Sequence, residues 1–271
     1  MFCTLRLLVQ SNPMDSPYTS NLLWHFVGRA APKDDECNYA TLKKILDGRC
    51  ISHPPHEHGQ GKTGYTYNLK GTFRDESLIV PTVTCYADIP VTSLGIHVQK
   101  YGRFGVAFRR GLLVAKFARP VTYVPIRDVD GPMAGSSAYT LKDIEAVYRG
   151  FRKVFDARDD IPKTRAMTVE PANEGELFRG LKYVLELEVL AFIKAFHADL
   201  PQDHPNNYYM EREWRKYGNL VFELKDVAAL CVAPGHAETI KHDFPELRDK
   251  IIAVPSTDGP TPAPESTAPP R

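Results

Sequence analysis

The chain has 271 residues, of which 43% are hydrophobic, and its 34 lysines and arginines nearly balance 33 acids. This is enough apolar material for one large domain or two small ones. The formal net charge of +1 gives no electrostatic preference for nucleic acid, so any such affinity would need a local basic patch. No apolar run approaches the roughly 20 residues that span a bilayer. The odd number of scattered cysteines predicts reduced thiols in a cytoplasmic protein: Cys3, Cys37, Cys50, Cys85 and Cys231.

The two ends of the chain differ in composition from the part between them. Residues 1–19 are predicted to form a flexible leader, and the Pro/Ser/Thr-rich residues 255–271 a disordered tail. A single domain is expected over residues 20–254. The start of the chain lacks a signal-peptide cleavage site, which leaves Met1 and Met14 as alternative initiators.

In the first half of the domain, strand and helix patterns follow one another. The first helix is expected to end at Gly48 and the second to begin at Pro90. In order, the pattern predicts a strand over 22–27, a helix over 39–48, a His/Gly-rich loop over 52–64, a strand over 78–86 and a helix over 90–101.

In the second half, strands and helices mix without a βαβ rhythm, so the fold class is predicted to be α+β. Two short apolar runs, 104–108 and 121–126, are expected to be strands of one sheet. A long apolar segment over 176–196 is expected to be the central buried helix. The remaining predictions are a helix over 141–155, strands over 208–217, 220–223 and 228–233, and a helix over 237–244.

Two loop motifs resemble known binding sites, but each lacks a feature that the site requires. The segment GQGKTGYT has His56 where a phosphate loop requires glycine, so a surface loop is expected. Cys50, His53, His56 and His58 match none of the usual spacings of a structural zinc site, so no metal is predicted.

The late segment NNYYMEREWR carries the densest set of chemical groups. Read as a strand, it places Tyr209, Glu211, Glu213 and Arg215 on one face. Two neighbouring carboxylates repel each other unless a cation lies between them, so the segment requires a guanidinium or a positively charged substrate. The alternative is that one glutamate pairs with Arg215 or Arg103 and the other faces water.

Three blocks, TCYADIP, HVQKYGRFGVAF and NNYYMEREWR, resemble in order and spacing the abortive-infection AbiGi family of bacterial phage-resistance proteins. The resemblance extends from about Leu22 to about Leu247. That family is described as an antitoxin, which implies a cognate toxin as partner. The same blocks more distantly resemble NAD-dependent ADP-ribosyltransferase toxins that modify DNA or RNA, which implies a mostly antiparallel split sheet flanked by helices.

The ADP-ribosyltransferase resemblance implies a role for each candidate residue. His25 would touch the nicotinamide ribose, and Tyr86 or Tyr101 would stack on the nicotinamide of NAD, the substrate. Glu213 would grip a ribose hydroxyl, and Glu211 would orient or deprotonate the acceptor.

Two arginines complete the implied site. Arg215 would fix a carboxylate near the oxocarbenium-like centre that forms as nicotinamide departs. Arg103 would hold the pyrophosphate, because a guanidinium presents a planar fork to phosphate oxygens. His97 has no implied role and shares a helical face with Tyr101.

The sequence therefore supports two functions. The first is an anti-phage effector that transfers ADP-ribose from NAD to a macromolecule, with nucleic acid as the preferred acceptor. The alternative is a non-catalytic antitoxin that neutralises a toxin through a protein interface, with the EREWR residues as a stabilising salt-bridge network. An NAD-binding sensor without turnover is a third possibility.

Overall fold

The computed structural model describes residues 20–54, 56–57, 59–126, 136–159, 161, 173–201, 204 and 207–255. The predicted leader over 1–19 and residues 256–271 of the predicted tail lie outside the described residues.

Six α-helices and thirteen strands make up the described chain. The helices are α1 (Asp35–Gly48), α2 (Leu94–Tyr101), α3 (Arg110–Ala115), α4 (Ser136–Ala157), α5 (Glu174–Tyr183) and α6 (Ala237–Asp243). The strands are β1 (Leu22–Phe26), β2 (Cys50–Ile51), β3 (Tyr65–Tyr67), β4 (Ile79–Pro81), β5 (Val83–Ala87), β6 (Gly105–Arg109), β7 (Arg119–Pro120), β8 (Thr122–Ile126), β9 (Ile193–His197), β10 (Glu213–Tyr217), β11 (Leu220–Val221), β12 (Val227–Val232) and β13 (Ile251–Ala253).

A seven-stranded sheet in the order β13-β12-β6-β1-β5-β10-β7 forms the centre of the fold. All its neighbouring strands are antiparallel except β12 and β13. Three two-stranded pairs accompany it, and of these β8 and β9 run parallel. The predicted α+β class, with a mostly antiparallel sheet flanked by helices, is confirmed.

The central sheet opens between β1 and β5. Strand β1 pairs with β6 along its whole length, but it pairs with β5 at one position, Trp24 opposite Ala87. In the opening, Nδ1 of His25 lies 2.9 Å from the carbonyl oxygen of Cys85. This side-chain contact thus replaces part of the backbone hydrogen bonding between β1 and β5.

Helices cover both faces of the central sheet because its strands alternate apolar side chains between the two faces. On one face, Leu23 and Phe108 pack with Leu42 and Leu46 of α1. On the other face, Trp24 belongs to a smaller apolar cluster with Leu94 and Val98 of α2. Helix α1 begins where the side chain of Asp34 accepts a hydrogen bond from the backbone N–H of Cys37.

A second core lies beside the central sheet, around β8, β9 and α4. Leu141 and Tyr148 of α4 pack there with Ile193 and Ala195 of β9. At its edge, the buried carboxylate of Glu186 accepts hydrogen bonds from the hydroxyl of Tyr148 and from Arg152, both at 2.7 Å. These bonds fix the segment that follows α5 to α4.

The prediction of one long helix over 176–196 is wrong for the second half of that segment. Helix α5 ends at Tyr183, and the chain continues through a π-helical segment, Val184–Val189, and a 3₁₀ turn, Leu190–Phe192. It then becomes strand β9, which pairs in parallel with β8. A continuous apolar run suits a buried strand as well as a buried helix, and pairing with β8 decided between them. The predicted strand over 121–126 therefore lies outside the sheet that contains β6.

The predicted strand over 208–217 is also shorter than expected. Residues Tyr209–Glu211 form a 3₁₀ turn, and Arg212 has a positive φ of 41°. The strand begins only at Glu213. Helix α3 and strands β2, β3, β7 and β13 were not predicted.

Replacing Phe108 with Ala is expected to lower the free energy of unfolding by about 3–5 kcal/mol, because its ring is fully buried and packs edge-on against Phe222. Urea titration followed by circular dichroism measures the change. Leu69→Ala serves as the control, since Leu69 is 72% exposed, and it should shift the midpoint little. A loss below about 1 kcal/mol in Phe108→Ala would contradict the assigned core.

Candidate functional site

A cleft of about 640 Å³ lies at the opening of the central sheet. Six of the seven predicted site residues line it: His25, Tyr86, Tyr101, Glu211, Glu213 and Arg215. The seventh, Arg103, does not, and its guanidinium forms an ion pair with Asp35 at the start of α1. The roles implied for all seven residues stay predictions.

Four charged side chains form a closed ring in the wall of the cleft, which we call the ion ring: Glu76, Lys194, Glu213 and Arg215. Nε of Arg215 lies 2.6 Å from one oxygen of Glu213, and Nζ of Lys194 lies 2.5 Å from the other. Glu76 closes the ring, 2.6 Å from Nη2 of Arg215 and 3.3 Å from Nζ of Lys194. The signs alternate around the ring, so its net charge is zero.

The ion ring determines the protonation state of Glu213. Burial opposes ionisation of this carboxyl, but the positive charges of Arg215 and Lys194 outweigh burial and lower its pKa to about 2. The carboxylate raises the pKa of both cations in return. Glu213 is therefore a fully ionised carboxylate with both oxygens engaged.

The second glutamate of the EREWR segment has different partners. Glu211 is buried and accepts hydrogen bonds from the hydroxyl of Tyr101 and from Nζ of Lys100, the latter at 2.7 Å. The ring of Tyr208 lies between two ammonium groups, 3.8 Å from Nζ of Lys100 and 4.7 Å from Nζ of Lys194. Each predicted catalytic carboxylate therefore pairs with a different lysine, Glu211 with Lys100 and Glu213 with Lys194.

His25 and Glu213 reach the cleft from opposite sides of the sheet. Trp24, Ala87 and Glu213 lie in one row across β1, β5 and β10, so they share a face, and His25 belongs to the other face. Both side chains line the cleft because the sheet is open between β1 and β5. Burial lowers the pKa of His25, so the imidazole is neutral at physiological pH.

His97, which had no implied role, also lines the cleft. Its ring lies between Phe26 and Tyr101, with ring centroids 5.1 and 4.8 Å away. It is 8% exposed, and burial lowers its pKa to about 3. The structure therefore places a neutral imidazole in the cleft, held by aromatic contacts.

Sequence reasoning missed the residues that complete this site. Lys194 was placed inside the predicted helix, although a single lysine within the apolar run LEVLAFIKAF is a signal of a buried ion pair. Glu76 lies in a turn that carries no motif. No sequence feature near Lys194 or Glu76 indicates that either residue shares a site with Glu213.

Metal binding and membrane spanning each require a recognisable arrangement of residues. Within the described ranges, no three His, Cys, Asp or Glu side chains are arranged to hold a metal ion, and His58 of the histidine-bearing loop lies outside those ranges. No helix in the described part of the chain is both long and apolar enough to cross a membrane.

The ion ring is expected to make stability depend on pH. Because the pKa of Glu213 is lowered on folding, its ionised form contributes stability that is complete above about pH 4.5 and is lost as pH falls towards 2. Converted at about 1.4 kcal/mol per pKa unit, the contribution is about 3 kcal/mol. Urea titrations of the wild type and Glu213→Gln should differ most at pH 6 and converge near pH 2.

Glu238→Gln is the matched control for this measurement, because Glu238 is an exposed glutamate of α6. Its unfolding free energy should follow that of the wild type throughout. A gap between the wild type and Glu213→Gln that stays constant with pH would contradict the assigned ionisation of Glu213.

Comparison with known proteins gives one match. A family model described as "Putative abortive phage resistance protein AbiGi, antitoxin" matches residues 64–242, which include α2, β10 and the EREWR segment but begin after His25. No curated protein and no solved structure matches the chain, so the resemblance to ADP-ribosyltransferases has no support from these comparisons. Because the match covers well over half of its residues, the chain belongs to the AbiGi family of abortive phage resistance proteins.

Proposed function

We propose that this protein is the antitoxin of an abortive-infection system and that it neutralises a separate toxin protein by binding it. The closed ion ring carries the proposal. Both oxygens of Glu213 are held by buried cations, so this carboxylate stabilises the fold and is not free to grip a substrate hydroxyl. The family description, which names an antitoxin, supports the same function.

An antitoxin needs a surface for its partner, and the outer side of α4 and α5 fits this need. The two helices lie side by side, with the rings of Phe151 and Phe178 stacked at a centroid distance of 6.1 Å. Arg158 and Glu174 join them at one end, 3.0 Å apart.

Five exposed aliphatic side chains on these helices form what we call the α4–α5 face. Those on α4 are seven residues apart, and those on and after α5 are four and three apart, so each set lies on one side of its helix. The set comprises Val147, Val154, Leu177, Leu181 and Val184, which are 73%, 51%, 53%, 43% and 42% exposed. Exposed apolar residues grouped in this way mark protein interaction sites.

The double variant Val147→Glu/Leu181→Glu is expected to weaken toxin binding at least about tenfold, because two carboxylates would have to be desolvated in an apolar interface. The binding partner to test is the protein encoded next to this gene. Affinity is measured by calorimetry on the purified pair, and neutralisation by the growth of cells that express both proteins.

Val114→Glu is the matched control, since Val114 is a half-exposed valine of α3, outside the α4–α5 face. It should leave affinity and growth unchanged. Full neutralisation by the double variant, with its fold intact, would remove the α4–α5 face as the interface. Failure of the wild type to protect cells from any neighbouring gene product would remove the antitoxin function itself.

ADP-ribose transfer from NAD to a macromolecule is the second candidate function. It is favoured by the grouping of His25, Tyr101 and Glu213 around one cleft of about 640 Å³, a volume within the range of small-molecule sites. For transfer to occur, Glu213 would have to exchange one of its two cation contacts for a ribose hydroxyl.

The two functions predict opposite results in one assay. If transfer occurs, the wild type releases nicotinamide from NAD in the presence of DNA or RNA, and Glu213→Gln slows release at least about 100-fold while Glu238→Gln does not. If the protein is an antitoxin, no nicotinamide is released, and Glu213→Gln still neutralises the toxin at temperatures at which it is folded. Liquid chromatography of the reaction mixture measures nicotinamide.

A further inference from the structure

The turn that carries Glu76 is held in an uncommon conformation. Asp75 accepts hydrogen bonds from the hydroxyls of Thr72 and Ser77, at 2.8 and 2.5 Å. Glu76 follows with a φ of 55°, in the left-handed region that residues other than glycine seldom adopt. No interaction within the turn accounts for a glutamate at position 76. The turn conformation directs the side chain of Glu76 into the cleft.

Glu76 is the most accessible member of the ion ring. Its side chain is 35% exposed, whereas those of Arg215 and Lys194 are 6% and 7% exposed. The two cations are fixed from behind by Glu213, and Arg215 also donates a hydrogen bond to the carbonyl oxygen of Ala191 at 2.7 Å. They would keep their positions if Glu76 moved away.

Without Glu76, the ion ring would hold two cations and one carboxylate. A buried site with a net positive charge binds an anion strongly, and a guanidinium beside an ammonium suits the oxygens of a phosphate as well as those of a carboxylate. The carboxylate of Glu76 therefore occupies a position that an external anion could take.

The rest of the cleft indicates how large that anion is. Its volume of about 640 Å³ far exceeds that of a free phosphate. Arg29 lies at the cleft and is exposed, which offers a further positive charge beyond those of Arg215 and Lys194. His97 is 8% exposed and its imidazole makes no hydrogen bond to another described residue, so the ring is available to a ligand in the cleft.

We propose that the cleft binds a phosphorylated small molecule of nucleotide size, and that Glu76 occupies its anion position in the unliganded protein and is displaced on binding. The phosphate contacts Arg215 and Lys194, and Arg29 holds the outer part of the ligand. This site shares its cleft with the NAD site of the second candidate function, but it requires neither a toxin nor turnover of NAD.

Calorimetry with ADP, pyrophosphate and adenosine tests the proposal on the full chain. Glu76→Gln is expected to bind ADP and pyrophosphate at least tenfold more tightly than the wild type, because the competing carboxylate is gone. Adenosine, which has no phosphate, should show no such gain. Arg29→Gln should weaken ADP binding about threefold, and Glu238→Gln should match the wild type.

Two further measurements keep the test decisive if Glu76→Gln is poorly folded. Glu76→Gly removes the same carboxylate and adopts the positive φ without strain, so it should show the same gain in affinity. In the wild type, saturating ADP should speed hydrogen exchange in the 71–78 turn as Glu76 is displaced. Unchanged affinity in both folded variants, or unchanged exchange in the turn, would overturn the proposal, whatever the outcome of the toxin and NAD assays.

Discussion

Two buried cations, Lys194 and Arg215, determine how the centre of this molecule is assembled. Neither can leave water without acidic partners, because an unpaired buried charge costs several kcal/mol. Glu213 on β10 and Glu76 in the 71–78 turn supply those partners. The ion ring therefore joins β9, β10 and the turn, which ties the central sheet to the second core beside it.

The same ring shapes the cleft and limits its chemistry. A carboxylate held by two cations is a strong structural anchor, but it is a poor free nucleophile or base. This favours the antitoxin function, in line with the family to which the chain belongs. The α4–α5 face and the cleft involve different side chains, so the proposed protein partner and the proposed anionic ligand would not compete for the same residues.

Strongly periodic elements were predictable from sequence, and ambiguous ones were not. Strand β1, helix α1 and helix α4 were found because each has a clear apolar pattern. The secondary structure of the segment after Tyr183 was predicted wrongly, because its apolar residues suit a helix and a strand equally. Six of the seven site residues line one cleft, and the pairing of a glutamate with Arg215 was among the alternatives, yet the ionic partners Lys100, Lys194 and Glu76 were not identified.

By itself, the sequence determined the α+β class, the family through its three ordered blocks, and the presence of two acids in the EREWR segment that needed cations. Only the tertiary structure decided which cations they were. Lys194 is 19 residues from Glu213, and Glu76 is 139 residues from Arg215, so no local pattern connects them. They meet because β8 and β9 pair in parallel and bring Lys194 beside β10, and such long-range pairing depends on the packing of the whole chain.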